Sequence, residues 1–105
     1  MQFEGIYTPL VTPYHDDFSL NEAALVETVE HLIAAGVHGI VVAGSTGEYY
    51  AQTPEERLEM MTRCAGLING RVPMVTGTGA IRTEDSIMYA KAAKAAGANA
   101  LLVST

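Results

Sequence analysis

Apolar residues recur along the chain with two alternating periods. Ile6 to Val11 is a first short apolar run, interrupted at Pro9 and closed by Thr12-Pro13. Proline donates nothing to a ladder, so this run predicts an irregular or edge strand. Beyond the polar loop His15-Asp16-Asp17, the residues Leu25, Val29, Leu32 and Ile33 recur at helical spacing. Ser19 and Glu22 precede them at the three-residue spacing of a capping box, and Gly36 follows where a left-handed residue ends a helix. Ile40-Val41-Val42-Ala43 is the next apolar run. It is continuous rather than alternating, which predicts a strand covered on both faces, as in a parallel sheet under helices.

The pattern then repeats. Thr53-Pro54-Glu55-Glu56 combines an N-cap, a proline at the first helical position and a capping glutamate. Leu58, Met61, Ala65 and Ile68 make one apolar stripe, and Asn69-Gly70 ends it. Met74-Val75-Thr76 predicts a third strand leading into Gly77-Thr78-Gly79. Thr83 starts a third helix, with Glu84 and Asp85 complementing its dipole; Ile87, Ala90, Ala93 and Ala96 form its stripe and Gly97 its end. Ala100-Leu101-Leu102-Val103 predicts a fourth strand. Residues 34–42 (Ala-Ala-Gly-Val-His-Gly-Ile-Val-Val) align with residues 95–103 (Ala-Ala-Gly-Ala-Asn-Ala-Leu-Leu-Val), so one helix-to-strand joint is used twice. The order β-α-β-α-β-α-β predicts an α/β fold with parallel strands and right-handed crossovers. Periodicity leaves two closures open: a doubly wound sheet, or the N-terminal half of a (β/α)₈ barrel. In the second, residues 1–105 would supply strands 1–4 and helices 1–3 of a domain that takes ~250 residues when complete.

Composition narrows the partners. Hydrophobic residues are 49% and charged residues 17% of the 105, a globular balance. The net charge of −6 disfavours nucleic acid and anionic membrane as partners, since both demand a basic surface. Cys64 is the only cysteine, which excludes an internal disulfide and a cysteine metal set and suits a reducing cytoplasm. No apolar stretch reaches the ~18 residues of a membrane span, and Met1 to Gly5 lacks a signal-peptide pattern. His15, His31 and His38 show no ligand spacing, so neither a metal nor a cofactor is expected.

The chemistry points to Gly44-Ser45-Thr46-Gly47-Glu48, the turn after the second strand. Glycine lets the backbone turn sharply and lets a ligand approach. Successive turn amides can form a concavity for an anionic oxygen, and ligands collect at this end of parallel strands. Ser45 and Thr46 would add two hydroxyls; the competing reading is a turn whose hydroxyls bond only its own backbone. Gly77-Thr78-Gly79 is not a dinucleotide fingerprint, because Arg82 stands where the third glycine belongs. It reads as a tight turn packed beside the first. Glu48 is expected to accept backbone hydrogen bonds and hold the loop in shape. Cys64 reads as a small core residue. Lys91 and Lys94, the only lysines, fall mid-helix and read as solvated surface.

Thr8-Pro9-Leu10-Val11-Thr12-Pro13, Gly44-Ser45-Thr46-Gly47-Glu48 and Gly77-Thr78-Gly79, in this order and spacing, resemble the dihydrodipicolinate synthase / N-acetylneuraminate lyase family from about Phe3 to Thr105. The resemblance implies a barrel and a class I aldolase, commonly a homotetramer, that binds pyruvate or another 2-oxo acid as a lysine Schiff base. It places Thr46 at the position that binds the substrate carboxylate. Ser45 matches the neighbouring hydroxyl, which binds the same group or joins a tyrosine proton relay, and is the one catalytic candidate. Gly44, Gly47 and Glu48 match the turn that shapes the pocket. The family's Schiff-base lysine lies on its sixth strand and its catalytic tyrosine on the fifth, both beyond the four strands read here. These 105 residues are therefore expected to carry the carboxylate clamp without the covalent machinery, and to be inactive alone. Dihydrodipicolinate synthases commonly have threonine where Ser45 stands and neuraminate lyases serine, which leaves the subgroup open. A reading of another class is a non-catalytic half-barrel that self-associates through its unpaired edges or binds a small anion. A nucleotide-binding doubly wound sheet is weaker, for want of a complete phosphate-loop glycine pattern.

Overall fold

The computed structural model describes residues 2–104; Met1 and Thr105, the ends of the predicted unit, lie outside them. The elements are β1 (Tyr7–Pro9), α1 (Glu22–Ala34), β2 (Gly39–Val42), a 3₁₀ turn (Tyr49–Ala51), α2 (Pro54–Ile68), β3 (Met74–Gly77), α3 (Thr83–Ala96) and β4 (Ala100–Leu102). The strands form one parallel sheet in the order β1-β2-β3-β4. A doubly wound sheet reverses its strand order at a switch point. No reversal occurs among these four strands, and they alternate with helices as the first half of a barrel does.

The register divides the sheet into two faces. Ile40, Val42 and Met74 pack with Leu25, Val29, Met60, Cys64 and Ile68 into the core beneath the helices. Pro9, Val41, Val75 and Ala100 line up across the four strands on the opposite face, the one a closed barrel encloses. Ile40 and Val42 are buried under the helices while Val41, on the other face, is half-buried, so apolar residues suit both faces and the second run carries no alternation. Pro9 sits at the end of an edge strand, where its missing N–H costs no ladder bond.

Three local expectations are corrected. Ser19 is not the cap of α1: its hydroxyl and amide turn to Asp17, and Asn21 accepts from the Ala24 amide instead. The Tyr14–Leu20 bridge and the bond from the Asn21 amide to the Pro13 carbonyl draw the chain two residues farther before it coils. The buried face of α2 runs through Arg57, Met60, Met61, Cys64 and Ile68, with Leu58 and Ala65 only half-buried. In α3, Tyr89 and Ala93 are buried whereas Ile87 is half exposed, because the helix turns its aromatic ring toward Arg57. The capping box Thr53–Glu56 forms as the sequence predicts. Cys64 is fully enclosed, and burial pushes its thiol up to about 12, which describes an inert core residue.

The repeated joint is reproduced bond for bond. Gly36 and Gly97 both take left-handed backbone, with φ of +89° and +99°. The Val37 amide then donates to Leu32 and the Ala98 amide to Ala93, closing the helices alike. His38 and Asn99 are the corresponding residues that follow. The His38 amide donates to the Ile6 carbonyl while its Nδ1 accepts from the Ile6 amide at 2.9 Å. The Asn99 amide donates to the Met74 carbonyl while its Oδ1 accepts from the Met74 amide, also at 2.9 Å. Each side chain clips its strand to the start of the preceding one. We expect His38→Asn to leave stability within about 0.5 kcal/mol, and His38→Ala to cost about 1 kcal/mol, as read by urea denaturation. Equal losses in both would remove this role.

Candidate functional site

Ala43 leaves β2 in the left-handed region, with φ of +59°, although it is a buried non-glycine residue. Glu48 takes the same conformation at the far end of the turn, with φ of +61°. Such backbone is held only where its surroundings over-determine it, and it concentrates at functional sites. Between these two residues, the Gly47 amide donates to the Gly44 carbonyl and the Glu48 amide to the Ser45 carbonyl, both at 3.0 Å. The Ala51 amide then takes up the Glu48 carbonyl and opens the 3₁₀ turn. The amides of Ser45 and Thr46 find no protein acceptor among the described residues, and both side chains are exposed. Two hydroxyls and two uncommitted amides thus stand together at the carboxyl end of β2. That set can surround one negatively charged oxygen pair.

Two contacts turn the loop inward across the mouth of the sheet. A Cβ on Gly77 would lie 2.1 Å from the Ala43 carbonyl oxygen, so the chain leaving β2 passes directly over the enclosed face of β3. A Cβ on Gly44 would meet Leu102 of β4 at 3.8 Å, one strand farther still. Gly77 therefore forms the floor beneath the turn, because only a residue without a side chain permits that crossing. Gly79 serves Tyr49 in the same way, at 3.1 Å from its hydroxyl.

Arg57 anchors this floor from the helix layer. It is 3% exposed, donates from Nη1 to the Gly79 carbonyl at 2.7 Å and from Nη2 to the Gly77 carbonyl at 3.2 Å. Its guanidinium lies 3.7 Å from the centroid of Tyr89 and 4.9 Å from that of Tyr49. Burial lowers its pKa from the ordinary guanidinium value, opposed by the neighbouring Tyr89 and Tyr49. Thr12, 3% exposed, fastens the turn from the β1 side: its hydroxyl donates to the Gly47 carbonyl at 2.7 Å. Sequence reading singled out neither residue for the site. The phase of Arg57, three and four residues before Met60 and Met61, was the one available signal.

The remaining candidates fall where geometry puts them. Glu48 shapes the turn through its backbone; its carboxylate accepts no hydrogen bond among the described residues and lines a hollow with Tyr14, Phe18, Ala51 and Glu56. Lys91 and Lys94 are exposed on α3, away from the turn. His15, His31 and His38 do not converge, and no group of three or more His, Cys, Asp or Glu among the described residues could hold a metal ion. No helix there is long and apolar enough to cross a membrane.

Parallel βα units whose turns meet at the carboxyl ends of the strands define the N-terminal part of a (β/α)₈ barrel. The chain belongs to the Dihydrodipicolinate synthetase family, which matches residues 2–105. It is 40% identical over 103 residues to the 4-hydroxy-tetrahydrodipicolinate synthase of Methanoculleus marisnigri, covering 96% of this chain and 35% of that protein. The enzyme of the same name from Phenylobacterium zucineum is 43% identical over 103 residues, covering 98% and 35%. Among solved structures, the prophage protein YagE of E. coli K12, in complex with pyruvate, superposes with a TM-score of 0.94 at 31% identity, over 98% of this chain and 35% of that one. A dihydrodipicolinate synthase of Acinetobacter baumannii complexed with pyruvate gives 0.94 at 34% identity, over 97% and 35%. The chain spans about a third of the length of these relatives.

Proposed function

We propose that residues 1–105 form the carboxylate-binding part of a Schiff-base-forming, pyruvate-dependent lyase or synthase similar to 4-hydroxy-tetrahydrodipicolinate synthase. The observation that carries this reading is the inward-leaning turn with two hydroxyls and two uncommitted amides at Ser45 and Thr46. Relatives of the same fold are described with pyruvate, whose carboxylate is the kind of group such a turn can hold. In the reaction, a protonated imine on the 2-oxo carbon withdraws electrons, so a carbon–carbon bond can form or break next to it. Fixing the carboxylate orients the imine for that step. Ser45 would bind the same carboxylate or pass a proton. The amine that forms the imine is not Lys91 or Lys94, because both are exposed on α3 and neither has the desolvated setting that frees a lysine from its proton. These residues alone are inactive on this reading, and the complete assembly is a cytoplasmic homotetramer. Serine at position 45 also favours a second member of the same class, an N-acetylneuraminate lyase or 2-keto-3-deoxy sugar-acid aldolase.

Pyruvate added to the isotopically labelled chain should move the amide resonances of Ser45 and Thr46 more than those of Gly77 or Gly79. Borohydride reduction of the same mixture should leave Lys91 and Lys94 unmodified in a peptide map. Unmoved resonances would remove the carboxylate clamp, and an adduct on either lysine would reassign the nucleophile.

A further inference from the structure

Thr12 stands outside the turn, yet among the described residues it makes the one side-chain hydrogen bond to the turn's backbone, from its hydroxyl to the Gly47 carbonyl at 2.7 Å. Building on the carboxylate reading above, we propose that Thr12 is a positioning residue, whose grip on Gly47 sets the attitude in which Ser45 and Thr46 face a 2-oxo acid. Its own place is fixed from both sides. Two residues earlier, the Leu10 amide donates to the Val41 carbonyl of β2 at 2.8 Å; one residue later, the Pro13 carbonyl accepts from the Asn21 amide that begins α1. A residue before proline is biased toward extended backbone, which narrows the directions in which the chain can present the Thr12 side chain.

The turn is seated flush against this support. A Cβ on Gly47 would stand 3.0 Å from the Leu10 carbonyl oxygen and 3.3 Å from the Thr12 hydroxyl oxygen, so Gly47 carries no side chain because the β1 exit occupies that space. The Gly47 carbonyl belongs to the peptide that ends in the Glu48 amide, which bonds the Ser45 carbonyl. Gly47 itself donates to the Gly44 carbonyl. Rotating the Gly47–Glu48 peptide would break the bond from the Glu48 amide to the Ser45 carbonyl, which closes the turn around Thr46. Thr12 holds the carbonyl of that peptide from outside the turn, while the bond to Ser45 holds its N–H from within, so loss of the Thr12 hydroxyl leaves the carbonyl side untethered.

The test compares Thr12→Val, which keeps the shape and removes the hydroxyl, with Thr12→Ser, which keeps the hydroxyl and removes a methyl. Pyruvate affinity is read from the Ser45 and Thr46 amide resonances of the 105-residue chain, with urea denaturation run in parallel. Thr12→Val should weaken pyruvate binding roughly ten-fold, since it leaves a buried carbonyl unpaired and the turn untethered. Thr12→Ser should stay within about two-fold, the margin expected when the hydrogen bond survives. The proposal fails if Thr12→Val binds as the parent does, or if Thr12→Ser is weakened equally, which would assign the effect to methyl packing. Parent resonances that ignore pyruvate would instead defeat the carboxylate reading and this role with it. Should Thr12→Val not fold, Thr12→Cys, with its weaker donor, replaces it under the same two outcomes.

Discussion

Gly77→Ala should destabilise the chain by about 3 kcal/mol or more, the upper range for forcing extra atoms into a packed site. The added Cβ would lie 2.1 Å from the Ala43 carbonyl oxygen and 2.8 Å from its carbon. Both are backbone atoms, so no rotamer change relieves the overlap. Ala43 is already in left-handed backbone and cannot retreat cheaply. Either β3 shifts against β2, breaking the Val42–Thr76 register, or the turn lifts away from the enclosed face. In both cases Ser45 and Thr46 leave their place, and the pyruvate response of their amides should vanish along with the stability. Gly66→Ala supplies the contrast. That glycine lies inside α2 with nothing within 4 Å of its missing Cβ, so alanine should stabilise by roughly 0.5–1 kcal/mol. Urea denaturation of the two variants side by side checks both signs. A Gly77→Ala chain as stable as the parent would show that the turn does not cross β3 as described.

Arg57→Ala is the second large effect, with an expected cost of about 3 kcal/mol. The substitution leaves the Gly77 and Gly79 carbonyls without their donors and strips the cation from Tyr89. Regained hydration of the arginine in the unfolded chain is already counted in the net value, because a buried charge is costly to hold. Arg57→Lys should rescue little. A point-like ammonium cannot span two carbonyls and lie flat against a ring, which the planar fork does. Denaturation midpoints of the two variants decide the matter: a lysine variant restored to parental stability would mean that charge alone, rather than the fork, carries the contribution.

Much of the scaffold was legible from local chemistry. The capping box at Thr53 forms because its partners, Thr53 and Glu56, lie within one turn and need nothing else. The glycine stops at Gly36 and Gly97 are likewise local, since left-handed backbone closes a helix whatever packs on it. The turn at Gly44–Gly47 was legible as a turn because strand, glycines and hydroxyls follow one another directly. Where two local signals competed, the chain's path chose. Ser19 and Asn21 are both good caps, and the bridge from Tyr14 to Leu20 settled on Asn21. Glu48 was expected to brace the turn with its carboxylate, but the turn closes through backbone bonds and leaves that carboxylate without a partner among the described residues.

Period, caps and turn residues by themselves determined the order of elements and the position of the turn that carries the hydroxyl pair, because each rests on contacts within a few residues, and the alternation of strand and helix then implied the parallel arrangement. Tertiary structure alone decided what supports that pair. Thr12 lies 35 positions from Gly47, and Arg57 lies 20 and 22 positions from the carbonyls it holds. Gly77 owes its lack of a side chain to an alanine carbonyl from another strand's exit. Contacts of that separation leave no periodic trace in a sequence, since nothing about the neighbours of Thr12 or Arg57 along the chain records which backbone oxygen will come to rest against them.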